Sequence, residues 1–193
     1  MTGPGHNGGP SMEPGASWRR HCWQAARSAL FPTLPVEVVR LRVRRAAELG
    51  LDYRTYAGVR ASTGHDLVAF LFSTNALGLL REKDSLGPLQ SAKLAAIRGA
   101  DRLLAVQPPL DPRPLIDRLA CQAVPILAAT RAPGVLQSWG QTRRALRGFL
   151  ASAGLAADGV LVIGDTGIER GWAEAAQMAG YLAADRFFAP VPT

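Results

Sequence analysis

Two hydrophobic patterns divide the chain near Gly64. Before this residue, apolar side chains recur at helical spacing, as at Val36, Val39 and Val43. After it, short continuous apolar runs alternate with amphipathic segments. Spacings of three and four residues are typical of a helix with one buried face, whereas continuous apolar runs indicate strands covered on both faces of a sheet. The pattern therefore predicts a small helical segment followed by an α/β domain.

The helical segment is predicted to span residues 16–64. The preceding residues 1–15 are rich in Gly and Pro and have no apolar periodicity, which predicts a disordered tail. Three short helices are predicted within the segment, at residues 17–30, 35–49 and 53–62. Ser17 and Asp52 are the predicted caps of the first and third, and Pro32, Gly50 and Gly64 end the three helices.

Strands and helices alternate through residues 65–193. Four buried strands are predicted, at residues 66–74, 101–109, 124–130 and 159–166, with a further candidate strand at residues 186–188. Alternation of this kind is typical of a mostly parallel sheet with helices on both faces. The predicted fold is therefore Rossmann-like or flavodoxin-like.

Two of the predicted helices have well-defined apolar faces. The longer one, at residues 134–153, is predicted to bury a face that includes Leu136 and Trp139. The helix after the fourth strand is predicted to bury a stripe that runs from Ile168 to Leu182.

Polar residues follow the predicted strands at their carboxyl ends. Ligands of open parallel sheets bind in the crevice at that end, beside the loops that lead into the helices. We therefore predict a site for a small polar or nucleotide-like ligand, formed by Ser73, Thr74, Asn75, Gln107, Thr130, Arg131 and Asp165.

The corner after the fourth strand combines a structural signal with a chemical one. Thr166 and Glu169 have the spacing of a capping box, which gives both residues a role at the start of a helix. Asp165 precedes the box and is not needed for it. Its carboxylate either interacts with the helix dipole or acts as a Mg²⁺ ligand or proton acceptor, with Asn75 or Asp111 completing the site. The cofactor is thus left open, with Mg²⁺ as the candidate.

Two strand ends resemble later motifs of haloacid-dehalogenase-type phosphatases. They are the apolar run ending at Thr130 and the apolar run ending in Gly164-Asp165. In that family the first strand ends in an Asp-x-Asp pair whose first Asp is the nucleophile. Residues 73–75 here are Ser-Thr-Asn, so the resemblance implies an enzyme that is inactive or altered.

The net charge of +7 is concentrated in the first third of the chain. Residues 1–60 contain nine arginines and four acidic side chains, and twenty of the twenty-two basic residues of the whole chain are arginines. A GC-rich genome also favours Arg together with Ala, Gly and Pro, so this composition does not by itself indicate phosphate contacts. If the charge has a function, we expect the contact surface for nucleic acid or a protein partner to include Arg40, Arg44, Arg45, Arg54 and Arg60.

Several common chemistries lack their sequence motifs. The chain has no G-x-G-x-x-G after the first predicted strand, no phosphate-binding P-loop and no G-x-S-x-G elbow. Its three His and two Cys do not have the spacing of metal ligands, and Cys22 and Cys121 are too far apart in sequence to indicate a disulfide framework. No apolar run approaches the ~20 residues that span a bilayer. We therefore expect a cytoplasmic protein without a membrane partner.

These observations favour a binding or regulatory protein that holds a ligand at the carboxyl edge of the sheet and contacts a partner through its Arg-rich helices. No sequence feature excludes a subunit that simply packs on a partner protein, and two more specific alternatives remain open. One is a Mg²⁺-dependent transferase or hydrolase that uses Asp165. The other is a helix-turn-helix regulator that binds DNA through residues 35–62, because Ala46 and Gly50 have the spacing found at such a turn.

Overall fold

The computed structural model describes residues 34–190. The predicted tail and the predicted helix at residues 17–30 lie outside the described residues. In the described part, the helices are α1 (Val36–Glu48), α2 (Tyr53–Thr63), α3 (Pro88–Ala96), α4 (Pro112–Cys121), α5 (Trp139–Ser152), α6 (Gly167–Ala176) and α7 (Ala184–Phe188). The strands are β1 (Ala69–Ser73), β2 (Asp101–Val106), β3 (Ala128–Arg131), β4 (Val160–Gly164) and β5 (Gly180–Ala183).

The five strands form one parallel sheet in the order β3-β2-β1-β4-β5. β1 is the central strand, and Ala69 is aligned with Asp101 of β2 on one side and with Val160 of β4 on the other. All five residues of β1 and of β4 are buried, which explains why both strands are apolar apart from Ser73 at the end of β1. The predicted α/β fold is confirmed, and the strand order is that of Rossmann-like sheets rather than flavodoxin-like ones.

Helices cover both faces of the sheet. Phe70 and Phe72 of β1 point into one core, together with buried side chains of α3, α4 and α7. Leu71 points to the opposite face, where the core includes Leu146 of α5 and Trp172 of α6. This alternation along β1 follows from the two-residue period of a strand.

Residues 41–190 belong to the same compact unit as the sheet. Ala46, Leu49, Leu51 and Tyr56 are all buried in the core that contains Phe70. The later part of the predicted helical segment therefore packs on the sheet.

The candidate strand at residues 186–188 is wrong. These residues lie in α7, and Phe187 packs against Phe70 and Phe72 with ring centroids 5.6 and 5.5 Å apart. The fifth strand is Gly180–Ala183, just before α7. α6 ends at Ala176, because Gln177 adopts a left-handed conformation with φ of 55°.

The predicted apolar face of α5 is wrong at its start, and that of α6 is wrong at both ends. α5 begins at Trp139, where Ser138 and Gln141 form a capping box, and the side chains of Leu136 and Trp139 are exposed. In α6, Ile168 is exposed, and Leu182 lies in β5 rather than on the helix. Leu136 and Leu182 lie outside the two helices. Trp139 and Ile168 lie in the first turn after each cap and do not share the buried face.

Asp66 links α1 and α2 to the start of β1. The hydroxyl of Tyr56 donates to Asp66 Oδ1 at 2.8 Å, and Arg45 Nε donates to Oδ2 at 2.9 Å. Burial alone would raise the pKa of Asp66, but the hydrogen bonds from Tyr56 and Arg45 and the charge of Arg45 outweigh it, so that the pKa lies below its ordinary value.

Tyr56→Phe is expected to make stability less dependent on pH in the acid range. A lowered carboxyl pKa contributes stability above the unfolded-state pKa of about 3.9, and this contribution is lost as the pH falls through the folded-state pKa. Without the hydroxyl, the pKa of Asp66 rises towards its ordinary value, and the free energy of unfolding at pH 7 falls by about 1 kcal/mol. Urea denaturation at pH 7 and pH 3 measures both effects. An equal difference between the two proteins at both pH values would contradict this prediction.

Candidate functional site

The order of the strands places the switch point of the sheet, which we call the β1–β4 crevice, between the carboxyl ends of β1 and β4. From β1 the chain continues to β2 on one side, whereas from β4 it continues to β5 on the other. The two loops therefore diverge at this point, which is where open α/β sheets bind ligands. Ser73 ends β1, Thr74 and Asn75 follow it, and Asp165 follows β4. The structure therefore brings these predicted site residues to adjacent strand ends.

Ser73 and Thr74 shape the crevice from inside. Both side chains are fully buried. Ser73 Oγ accepts a hydrogen bond from the backbone N of Ala76 at 3.0 Å, and Thr74 Oγ1 accepts one from the backbone N of Gln107 at 3.0 Å. Thr74 thereby joins the end of β1 to the end of β2. These hydroxyls hold the loops in place and leave ligand contact to their neighbours.

Glu169 is the central residue of the site, and the sequence assigned it only to a helix cap. Its side chain is fully buried, and Oε2 accepts hydrogen bonds from the backbone N of Asp165 at 2.6 Å and of Thr166 at 2.8 Å. Oε1 accepts a third from Asn75 Nδ2 at 3.0 Å. The predicted capping box is confirmed, since Thr166 Oγ1 also accepts from the backbone N of Glu169. The carboxylate thus joins the loops after β1 and β4.

Asn75 is oriented by this contact. A carboxylate only accepts hydrogen bonds, so Asn75 presents its NH₂ group to Glu169 and its carbonyl oxygen points elsewhere. The half-buried side chain therefore offers an acceptor and its second N–H to a ligand in the crevice.

Asp165 holds the exposed carboxylate of the site. Within residues 34–190 its carboxylate has no hydrogen bond or ion pair, although its backbone N is bound by Glu169. Burial raises the pKa of nearby Tyr181, and the negative charges of Glu169 and Asp165 add to that rise. The positive charge of Arg170, whose guanidinium lies 4.9 Å from the centre of the Tyr181 ring, opposes that rise.

Gly164 allows Glu169 to approach β4. A Cβ atom at this position would lie 2.7 Å from the Tyr181 ring, 2.8 Å from Glu169 Cβ and 2.9 Å from Glu169 Oε2. The bare backbone of this glycine is therefore required for the buried carboxylate to fit.

Gly164→Ala is expected to lower the free energy of unfolding by about 1–3 kcal/mol, the usual cost of overpacking a buried position. The matched control is Gly171→Ala in α6, where nothing lies within 4 Å of the added Cβ. The control should raise stability by about 0.5–1 kcal/mol, because alanine favours a helix interior over glycine. Urea denaturation compares the two, and equal effects would show that the contacts at Gly164 are not rigid.

Thr130 and Arg131 lie at the same edge of the sheet but on its outer strand, β3. Arg131 is committed to an ion pair with Asp111, whose Oδ1 is 2.5 Å from the guanidinium, and both side chains are largely exposed. Thr130 Oγ1 lies 3.5 Å from the backbone O of Arg131. Asp111 is thus paired on the β3 side rather than beside Asp165, and its side chain does not cap α4.

The five predicted contact arginines have different environments. Arg40 and Arg44 of α1 and Arg54 of α2 are exposed, and Arg60 Nη1 lies 3.9 Å from Asp66 Oδ1. Arg45 uses all five of its N–H donors within the protein. Its acceptors are Asp66, Glu48 and the backbone O atoms of Leu67, Arg98 and Gly99. Arg45 therefore has a structural role, and contact of the others with a partner remains a prediction.

Residues 34–190 contain no cluster of three or more His, Cys, Asp or Glu side chains arranged to hold a metal ion. In the same part of the chain, no helix is both long enough and apolar enough to cross a membrane. Comparisons with protein-family models, with curated proteins and with solved structures found no significant match. The resemblance at Thr130 and Asp165 therefore rests on those strand ends alone, and the site is interpreted from its own geometry.

Proposed function

We propose that this protein binds a small polar or nucleotide-like ligand in the crevice between the carboxyl ends of β1 and β4. The observation that carries the proposal is the network around Glu169, which fixes the loops after both strands through three hydrogen bonds. Fixed loops lower the ordering cost of binding. The network also leaves the carboxylate of Asp165 and the carbonyl oxygen of Asn75 at neighbouring strand ends.

Binding is favoured over catalysis by what the end of β1 offers. A nucleophile there would have to be Ser73 or Thr74, and both hydroxyls are buried and accept hydrogen bonds from the backbone. His65 lies before the start of β1, where its Nε2 is 3.6 Å from Asp158 Oδ2. No described His therefore lies at these strand ends to act as the base for either hydroxyl. The polar groups of the crevice are suited to recognising donors such as ligand hydroxyl or amino groups.

A second candidate is a Mg²⁺-dependent transferase or hydrolase, supported by two side chains at the crevice whose oxygen atoms are suited to ligate a cation. Asp165 supplies a carboxylate and Asn75 an amide oxygen, and Mg²⁺ takes oxygen ligands of both kinds. Because Mg²⁺ keeps several waters and is often held by one or two carboxylates plus substrate phosphates, two protein ligands are compatible with such a site. In this case the ligand would be a phosphate compound bound together with the cation.

A thermal-shift panel of nucleotides and dinucleotides, each with and without Mg²⁺, tests both candidates. A ligand at a hundred times its Kd adds about 2.7 kcal/mol to stability, which raises Tm by several degrees in a domain of this size. The shift should be lost in Asp165→Asn and retained in Asp101→Asn, where an exposed carboxylate lies at the opposite edge of the sheet.

The outcomes separate the candidates. A shift without Mg²⁺ that depends on Asp165 supports simple binding, whereas a shift only with Mg²⁺ supports the enzyme. A shift that both variants retain would place the ligand outside the crevice, and the absence of any shift would count against both candidates.

A further inference from the structure

β5 forms one edge of the sheet, and cavities open on both of its faces. A cavity of about 460 Å³ lies between β5 and α6, where Arg170 and Glu174 line it. A second cavity of about 630 Å³ lies between β5 and α2, where Arg54 and Gly58 line it. Arg186 lines both. We call the outer edge of β5, together with the two cavities on either face of it, the trench.

Backbone groups of β5 point into this trench. The backbone N of Ala179 donates to Val160 O at 3.0 Å, so its peptide group points towards β4. Peptide groups of successive strand residues point to opposite sides, and those of Gly180 and Leu182 therefore point to the outer edge. Both residues line both cavities. Such an edge can pair with one more extended chain segment.

The charges of the trench identify the chemistry of that segment. Arg54, Arg170 and Arg186 line the cavities against a single acidic residue, Glu174. Two of these arginines are already positioned: the Arg170 guanidinium lies 4.9 Å from the centre of the Tyr181 ring, and Arg186 Nη2 donates to Thr55 Oγ1 at 3.4 Å. Positioned cations lose less side-chain entropy when an anion binds.

A second copy of the chain fits this trench poorly. If two β5 edges paired across a two-fold axis, each residue would approach its own equivalent region in the other copy. Arg54 and Arg186 on the α2 side would then face the same arginines, and like charges across an interface are unfavourable. The net charge of +7 opposes self-association as well.

We propose that β5 is a docking edge for an extended, acidic segment of a partner protein. The segment pairs with Gly180 and Leu182 as a sixth strand, and its side chains enter the α6 cavity and the α2 cavity in turn, because successive strand residues point to opposite faces. Glutamate or aspartate side chains meet Arg170 and Arg186 on one face, and Arg54 and Arg186 on the other. This site is separate from the crevice between β1 and β4.

Fluorescence polarisation tests the proposal with a labelled peptide in which pairs of glutamates alternate with pairs of valines, so that glutamate side chains reach both faces of the strand. We expect saturable binding that weakens as salt is added, and no binding of the same peptide with lysine in place of glutamate. Reversing two charges, in Arg54→Glu with Arg186→Glu, should weaken binding about tenfold or more, because each reversal replaces an attraction with a repulsion. Arg144→Glu, at an exposed arginine of α5, is the matched charge control.

A steric variant separates the trench from general electrostatics. Gly58→Gln adds a side chain to the α2 wall at a position where nothing lies within 4 Å of the new Cβ. It should leave the fold intact and abolish peptide binding. Gly148→Gln makes the same change at an equally open glycine of α5 and should bind normally. Hydrogen exchange of the Gly180 and Leu182 amides should slow when the glutamate peptide binds.

Three results would overturn the proposal. They are failure of the glutamate peptide to bind, equal binding of the lysine peptide, and binding that Gly58→Gln does not change. Sedimentation showing a dimer that Gly58→Gln dissociates would assign the edge to a second copy instead. None of these results depends on whether the β1–β4 crevice binds a ligand.

Discussion

Glu169→Ala is expected to lower the free energy of unfolding by about 3–5 kcal/mol, since each hydrogen bond to a charged acceptor contributes about 1.5–3 kcal/mol and water can replace part of that loss. The substitution leaves the backbone N–H groups of Asp165 and Thr166 and the NH₂ group of Asn75 without their acceptor. It also removes half of the capping box of α6. Urea denaturation followed by circular dichroism measures the change.

The control for this prediction is Glu174→Ala, because Glu174 is on the same helix and is exposed. Its free energy of unfolding should change by no more than about 0.5 kcal/mol, as is usual for surface substitutions. A comparable loss in both variants would mean that the helix, rather than the buried carboxylate, is sensitive at this end of the sheet.

A double-mutant cycle tests the link between the two loops. Glu169→Gln keeps an acceptor for Asp165 and Thr166 but presents NH₂ to Asn75, which must turn its amide over to accept from it, and the charge of the acceptor is lost. Asn75→Asp presents a carboxylate to the carboxylate of Glu169. Each single variant should be destabilised, whereas the double variant again pairs a donor with an acceptor, and a coupling of about 0.5–3 kcal/mol is expected for residues in direct contact. Additive effects would show that Asn75 and Glu169 do not depend on each other.

The elements that the sequence predicts well are those whose signals are local. Asp52 caps α2 by accepting from the backbone N of Thr55 at 2.8 Å, and Gly64 ends it with φ of 75°. Both signals lie within a turn of the residues that they affect, and the predicted end of α2 differs from the observed one by a single residue. The buried strands are equally local, because covering both faces requires an uninterrupted apolar run.

The network of the site could not be predicted from the sequence, because its residues are far apart in the chain. Asn75 and Glu169 are separated by 94 positions, and the capping box already gave Glu169 a sufficient explanation. The predicted location at the edge of the sheet follows from topology, which specifies strand ends but not which side chains meet there. Only the strand order shows that β1 and β4 are neighbours.

Leu136 and Trp139 illustrate a different limit. Their spacing is compatible with a helix face, but the capping box of Ser138 and Gln141 starts α5 after Leu136. The Leu136 side chain is 99% exposed as a result. Apolar periodicity and the capping signal predict different starts for this helix. The observed start is the one set by the cap, because the cap satisfies backbone donors that would otherwise lack partners.

Arg45→Ala is expected to be the second most damaging substitution, with a loss of about 2–4 kcal/mol of unfolding free energy, because it removes the donor from five hydrogen bonds, of which three are partly buried. The acceptors connect the end of α1 to the segments that enter β1 and β2: Asp66 and Leu67 precede β1, and Arg98 and Gly99 precede β2. The Arg45 side chain is only 20% exposed, but that of Asp66 is 38% exposed, so solvent screening reduces the ion-pair part of this estimate.

The same variant distinguishes a structural arginine from one that contacts a nucleic acid. Arg44→Ala is the matched control, because Arg44 is the adjacent residue of α1 and its side chain is exposed. If the contacts of Arg45 within the protein stabilise the fold, Arg45→Ala lowers the urea midpoint and Arg44→Ala does not. Arg45→Lys should recover little, because an ammonium group has three donors and cannot reproduce the planar fork that reaches five acceptor sites. Unchanged stability in Arg45→Ala, together with weaker and less salt-dependent binding of duplex DNA, would instead assign Arg45 to a phosphate contact.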